Sequence, residues 1–141
     1  GTLVVHGRGG RREIAASDFF EGFLQTTLGP DEMLVEVRVR KAPGVGWSFQ
    51  KFNRRAQDWA IVGVAAILGD EPGIGLVNMG STPLRAGGVE EALRSGASAA
   101  DAATRAADGT EPPSDLNATP EFRRHLASVL VRRAIEGAQA R

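Results

Sequence analysis

Between Phe49 and Val62 the chain reads FQKFNRRAQDWAIV, and Lys51, Arg54, Arg55, Gln57 and Asp58 crowd the one connection between two apolar segments. A reversal between strands needs only small or polar residues. Three cations, an amide and a carboxylate exceed that need, so the segment is expected to carry function. Asp58 could orient one of the cations by a charge-assisted hydrogen bond, or simply close an Asx turn at the strand start. Arg54 is one residue out of phase and is expected to face solvent or a partner. Trp59 is expected either to cover a ligand edge or to enter the core. Other chemistry is sparse: His6 and His125 lack a second ligand at metal spacing. No serine, histidine and acid arrangement can be inferred, and Glu90-Glu91 is expected on a helix surface without a pocket.

The loop needs strands on both sides. Trp47, Phe49 and Lys51 share one face of an upstream strand, which carries the ammonium to the strand end. Downstream, Ala60 to Leu68 is apolar on both faces and should sit centrally in a sheet, with Gly63 marking a close neighbour. Met33, Val35, Val37 and Val39 alternate with Glu36 and Arg38, as in a half-buried strand. Ile74 to Met79 follows a turn cluster at residues 69–73, so these strands are expected to form one antiparallel meander. Nearer the start, Leu3-Val4-Val5 reads as a strand and Gly7-Arg8-Gly9-Gly10 as a turn. Ser17-Asp18 is expected to cap a helical turn that carries Phe19, Phe20 and Phe23 inward.

The remainder reads helical. Val89 to Arg94 is a short helix, Ser98-x-x-Asp101 resembles a capping box opening a helix through Ala107, and Thr119 with Pro120 begins a long one. On the last helix Phe122, Leu126, Val129 and Leu130 form the stripe expected to face the sheet. Val131 and Ile135, with Ala127, Ala134 and Ala138, form a second stripe expected to contact another chain, or else to be scattered surface aliphatics. Arg133 falls within that stripe, a costly place unless it is paired. The resulting fold class is α+β: an antiparallel sheet of three to four strands packed against about three helices.

The chain has 141 residues, 42% of them hydrophobic, enough for one domain with a core. Seventeen basic and seventeen acidic side chains cancel, so no general field favours nucleic acid or anionic lipid. An RNA-binding role for Arg8, Arg11, Arg12, Arg54 and Arg55 fits this balance poorly. Without cysteine the chain holds no disulfide, thiolate metal ligand or iron-sulfur ligand of its own, which suits a reducing compartment. The longest apolar run, Ala60 to Leu68, is about half the ~20 residues a membrane span requires, and no basic-then-apolar leader precedes it. The start at Gly1 suggests a piece of something longer.

The pattern F-x-K-x-x-x-R-x-x-D-x-A-x-V, from Phe49 to Val62, resembles the C-terminal domain of the flavoprotein subunit of molybdenum hydroxylases, the carbon monoxide dehydrogenase and xanthine dehydrogenase family. Matching pieces run in order along nearly the whole chain. They are Arg12-Glu13-Ile14 with Asp18-Phe19-Phe20-x-Gly22, Thr26-x-Leu28-x-Pro30-x-Glu32, Pro83-x-Arg85-Ala86, and Phe122-Arg123-Arg124 with Val131-x-Arg133-Ala134. Each piece is short; their joint order carries the resemblance.

The resemblance implies the same α+β architecture, with residues 1–18 as the end of a preceding FAD-binding domain and 19–141 as the C-terminal domain. It implies FAD held mainly by domains outside this chain, molybdenum cofactor and iron-sulfur clusters on partner subunits, and a cytoplasmic setting. The charged loop would lie beside the isoalloxazine, where a cation raises the reduction potential. Lys51 and Arg55 are the candidates, with Asp58 fixing the loop. Phe23 and Leu24 fall where the family carries an aromatic near the flavin face, although core burial is the plainer role for both. Arg123, Val131, Arg133 and Ile135 would meet partner subunits, and Arg85 would make a structural hydrogen bond. The rival reading is a non-catalytic protein-interaction module, for which arginine-rich surfaces are common.

Overall fold

The structure, a computed structural model, describes residues 1–141. These residues form two compact units, Gly1–Pro43 and Gly44–Arg141.

In the first unit, strand β1 (Thr2–Gly7) lies between β2 (Gly10–Ala15) and β5 (Met33–Arg38), antiparallel to both. A separate small hairpin joins β3 (Phe20–Gly22) to β4 (Gln25–Thr26). The turn from β1 to β2 works because Gly10 adopts φ +99°, which side chains disfavour. Leu3, Val5, Ile14 and Phe19 make the core of this unit. The loop before β5 is tied down electrostatically: Arg12 places Nε and Nη2 on the two oxygens of Glu32, each at 2.7 Å, and Nη2 also donates to Thr27 O at 2.9 Å. Glu32 in turn accepts from Gly29 N at 2.8 Å. Two family-resembling pieces that are twenty residues apart in sequence thus meet as one bidentate pair.

Three expectations for this region change. Met33 to Arg38 is a strand, but it pairs with β1 and not with the strand at 46–52. Alternation shows that a strand has an apolar face and says nothing about its partner. That apolar face is also open, since every residue of β5 is exposed. Of the three phenylalanines expected inward only Phe19 is buried, because the 16–18 segment is a single 3-10 turn that ends before it can carry Phe20 and Phe23 with it.

The second unit is a four-stranded antiparallel sheet in the order β6 (Gly46–Phe52), β7 (Val62–Leu68), β8 (Gly73–Val77) and β9 (Leu84–Arg85), followed by α1 (Gly87–Arg94), α2 (Ala99–Ala103) and α3 (Pro120–Gln139). One face carries Val62, Val64, Ala66, Ile74 and Leu76 and is buried under α3, with α2 beside that helix. Helix α3 starts where Thr119 Oγ1 accepts from Phe122 N at 3.3 Å and Pro120 occupies the first turn. It approaches β6 closely: a Cβ on Gly137 would stand 2.9 Å from Ser48 Oγ. Ser98 caps α2 by accepting from Asp101 N at 3.1 Å, but regular helix stops at Ala103 and the chain continues in turns to Gly109. No helix is long and apolar enough to cross a membrane.

The second stripe of α3 is not an external surface. Val131 and Ile135 are completely buried, as are Ala127 and Ala134, because the helix is covered by the sheet on one side and by α2 on another. Arg123 is also wholly buried, so these three leave the partner-facing set. Arg133 by contrast is exposed, outside the stripe that was expected to hold it. Glu90 is not a surface carboxylate either: it is buried, and its Oε1 accepts from Arg85 Nε at 2.6 Å and from Ile74 N at 2.8 Å. Burial works to raise its pKa, and the Arg85 and Ile74 donors outweigh that and hold it below the ordinary value.

Two outcomes follow from this packing. Ile135→Ala is expected to cost about 2–5 kcal/mol in urea unfolding, the range for truncating a core aliphatic; a change near zero would put the side chain outside the core. The Arg12 hydrogen bond, with help from Gly29 N–H, holds the Glu32 carboxyl at about 2, below its ordinary 4.5. Its contribution is therefore present above pH 4.5 and lost as pH falls toward 2. Carboxyl NMR titration should find a midpoint near 2 for Glu32, moving up toward 4.5 in Arg12→Met.

Candidate functional site

Strand β6 alternates Trp47, Phe49 and Lys51 outward with Ser48 and Gln50 inward. Across the ladder Lys51 stands opposite Gly63, so no neighbouring side chain covers it on the open face. The neighbours of that face are Ala65 and Ile67 on β7 and Gly73, Gly75 and Val77 on β8, in register. Trp47, Phe49, Ile67 and Val77 are all exposed there. Antiparallel sheets ordinarily turn polar residues toward water on such a face.

The chain leaves β6 after Phe52 and returns at Ile61, whose N–H donates to Phe52 O at 2.7 Å and closes the neck of the loop. Inside, Arg55 N donates to Asp58 Oδ2 at 3.1 Å, Asp58 N donates to Arg55 O at 3.0 Å, and Asn53 Nδ2 also donates to Arg55 O. Asp58 therefore fixes backbone and pairs with no guanidinium. Lys51 and Arg55 have no ion-pair partner. Arg54 reaches Asn117 Oδ1 at 3.4 Å, and Trp59, 83% exposed, takes no part in the core. The loop is a closed turn that presents uncompensated positive charge and an indole to the outside.

The closed loop thus holds Arg55 and Asp58 together, and Lys51 stands on the strand that leads into it. Phe23 and Leu24 belong to the other unit, at the tip of the β3–β4 hairpin. They are 72% and 82% exposed, which removes the core reading for both. Leu24 has φ +55°, the left-handed region, at a cost of about 1–2 kcal/mol for a residue with a Cβ. Such strain persists where surrounding structure enforces it. A cleft of about 160 Å³ beside the β1–β2 turn is lined by Arg8, Arg11, Arg12, Asp31 and Glu32. Two of its three cations are paired, Arg12 with Glu32 and Arg8 with Asp31 at 3.9 Å.

What the sequence reading missed is the neck's support. The carbonyl of Ile61 accepts from the buried Arg123 Nη1 and from Asn78 Nδ2, the latter at 3.3 Å, and Asn78 Nδ2 also donates to Ala60 O at 3.0 Å. A signal was present: Arg123, Ala127, Leu130 and Ala134 recur at helical spacing, which assigns Arg123 to the buried face of α3.

Residues 47–138 match the family described as the CO dehydrogenase flavoprotein C-terminal domain. The carbon monoxide dehydrogenase medium chain of Hydrogenophaga pseudoflava is 34% identical, with 99% of this chain aligned to 52% of the relative. The caffeine dehydrogenase subunit beta of Pseudomonas sp. strain CBB1 is 34% identical over 94% of this chain and 48% of its own length. Among solved structures, carbon monoxide dehydrogenase from Hydrogenophaga pseudoflava superposes with a TM-score of 0.89 at 35% identity, covering 99% of this chain and 52% of that one. The chain spans about half the length of the curated relatives it matches.

Asp58→Ala is expected to speed amide exchange at Arg55 roughly tenfold, the loss of one hydrogen bond to a charged acceptor. Asp58→Asn, which retains an acceptor, should restore most of the protection. Equal exchange in all three proteins would show that the carboxylate does not hold the turn.

Proposed function

The chain belongs to the CO dehydrogenase flavoprotein C-terminal domain family, and on that footing we propose that it forms the C-terminal portion of the flavoprotein subunit of a molybdenum hydroxylase. In this reading FAD is held mainly by domains outside the chain. Molybdenum cofactor and iron-sulfur clusters belong to partner subunits. Electrons pass from the clusters through FAD to an acceptor, in a cytoplasmic setting that a chain without cysteine suits. Residues 1–18 form the end of the preceding FAD-binding domain and residues 19–141 the C-terminal domain. The open apolar face of β5, bearing Met33, Val35 and Val37 on an uncovered side, is an incomplete layer that suits a chain joined to further protein.

The observation that carries the proposal is that Lys51 and Arg55, on either side of a hydrogen-bonded neck, have no counter-ions. Bound flavin supplies a redox centre that gains negative charge on reduction. The donor set fits such a group, because Lys51 at the strand end and Arg55 on the closed turn are exposed and unpaired. Their role is to keep positive charge near the ring and so favour its reduced form. Asp58 acts on the loop backbone. Phe23 and Leu24, exposed on a strained hairpin tip, are the remaining candidates for contact with the ring.

Lys51→Ala combined with Arg55→Ala, made in the full-length flavoprotein, is expected to lower the flavin midpoint potential by roughly 20–40 mV, equivalent to about 1–2 kcal/mol for a two-electron couple. Thermal unfolding should be unchanged. An unmoved potential together with unmoved turnover for every acceptor would remove the electrostatic role.

A second reading, a docking module without redox chemistry, is favoured by the exposed apolar face of the β6–β9 sheet. Exposed Arg133 is its remaining candidate on α3. Under that reading Trp47→Asp should release the partner subunits in co-purification while leaving the flavin potential of the isolated subunit alone.

A further inference from the structure

Both ends of the charged loop land on the first turn of α3. At its start, Phe52 meets Phe122 edge to face, with ring centroids 6.3 Å apart. At its end, the Ile61 carbonyl accepts from Arg123 Nη1. Asn78, just past β8 and held at φ +63°, ties Ala60 O and Ile61 O to the neighbouring strand end. The other arm of Arg123 donates from Nη2 to Asp115 Oδ2 at 2.7 Å. Asp115 Oδ1 closes the turn before α3 by accepting from Asn117 N at 2.8 Å and Ala118 N at 3.0 Å. Those backbone donors, foremost that of Asn117, together with Arg123, hold the Asp115 carboxyl below its ordinary range even against desolvation. From the same turn Asn117 reaches out to Arg54.

Arg123 is a poor choice for stability alone. Its side chain is completely buried and its Nε has no hydrogen-bond partner. An apolar side chain of similar volume is often as stabilising as a buried ion pair. What an apolar side chain cannot do is hold the carbonyl at which the loop re-enters the sheet.

We propose that Arg123 and Asn78 are positioning residues for the charged loop: both donate to the Ile61 carbonyl and thereby fix where Lys51 and Arg55 are presented. Charge interactions fall with distance, so a neck free to shift would spread the cations over many separations from whatever they face. The consequence for a redox potential rests on the flavin reading above; the positioning itself does not.

The test uses the full-length flavoprotein with FAD bound and three variants: Arg123→Met, Arg123→Lys and Asn78→Gly. Glycine accepts the left-handed backbone at position 78 while deleting the amide, so this variant keeps the fold where Arg123→Met disrupts it. Native-state trypsin cleavage after Arg54 and Arg55, followed by mass spectrometry, reads release of the neck. Cleavage there should accelerate about tenfold or more in Arg123→Met and Asn78→Gly, with sites elsewhere unaffected. Arg123→Lys, which retains a cationic donor, should recover much of the resistance. The flavin midpoint potential should move in step with cleavage across the series. Wild-type cleavage rates in the folded variants would overturn the positioning role whatever the potential does, and where Arg123→Met fails to fold, Asn78→Gly decides alone. Faster cleavage with an unmoved potential would sustain positioning and overturn the flavin reading instead.

Discussion

Helix α3 can lie on β6 and β7 only because the chain keeps their contact surfaces small and dry. Ser48 and Gly137 face each other, and Val62, Val64 and Ala66 supply the floor for Leu126, Leu130, Val131 and Ile135. Close approach of this kind is what a packed interior requires. It also sets the height of the first helical turn over the sheet, and hence whether Phe122 can reach Phe52 and Arg123 can reach Ile61. The charged loop is therefore an extension of the core and not a flap hung from it.

Charge is partitioned with the same economy. The two ionised groups taken deepest into the second unit, Arg123 and Glu90, each meet an opposite charge and a backbone group. Buried ions need such partners. The remaining ion pairs lie largely on the surface, where screening by water makes them worth little. Against this background the loop stands out because its one carboxylate is occupied with backbone, leaving Lys51 and Arg55 uncompensated. A net charge of zero for the whole chain conceals that local imbalance.

The open side of the β6–β9 sheet is the complement of the buried one. Glycine and alanine occupy its centre, at Gly63, Ala65, Gly73 and Gly75, with Trp47, Phe49, Ile67 and Val77 around them. Arg141 lies over the Trp47 ring, 4.2 Å from its centroid. A surface this apolar is suited to being covered.

Local periodicity and capping were enough to place β6, β7, β8 and α3, to bring Lys51 to a strand end, and to mark 53–60 as a connection with more charge than a turn needs. These are short-range properties, settled by side-chain alternation, by Thr119 with Pro120, and by the steric demands of a reversal. Long-range choices were not legible. Alternation in Met33 to Arg38 could not reveal that its hydrogen bonds go to β1. The second stripe of α3 could not announce that α2 covers it, nor Glu90 that Arg85 and Ile74 enclose it, nor Phe23 and Leu24 that their hairpin turns them outward. Burial is a property of what stands opposite, and what stands opposite each of these residues is decided only when segments distant along the chain pack together.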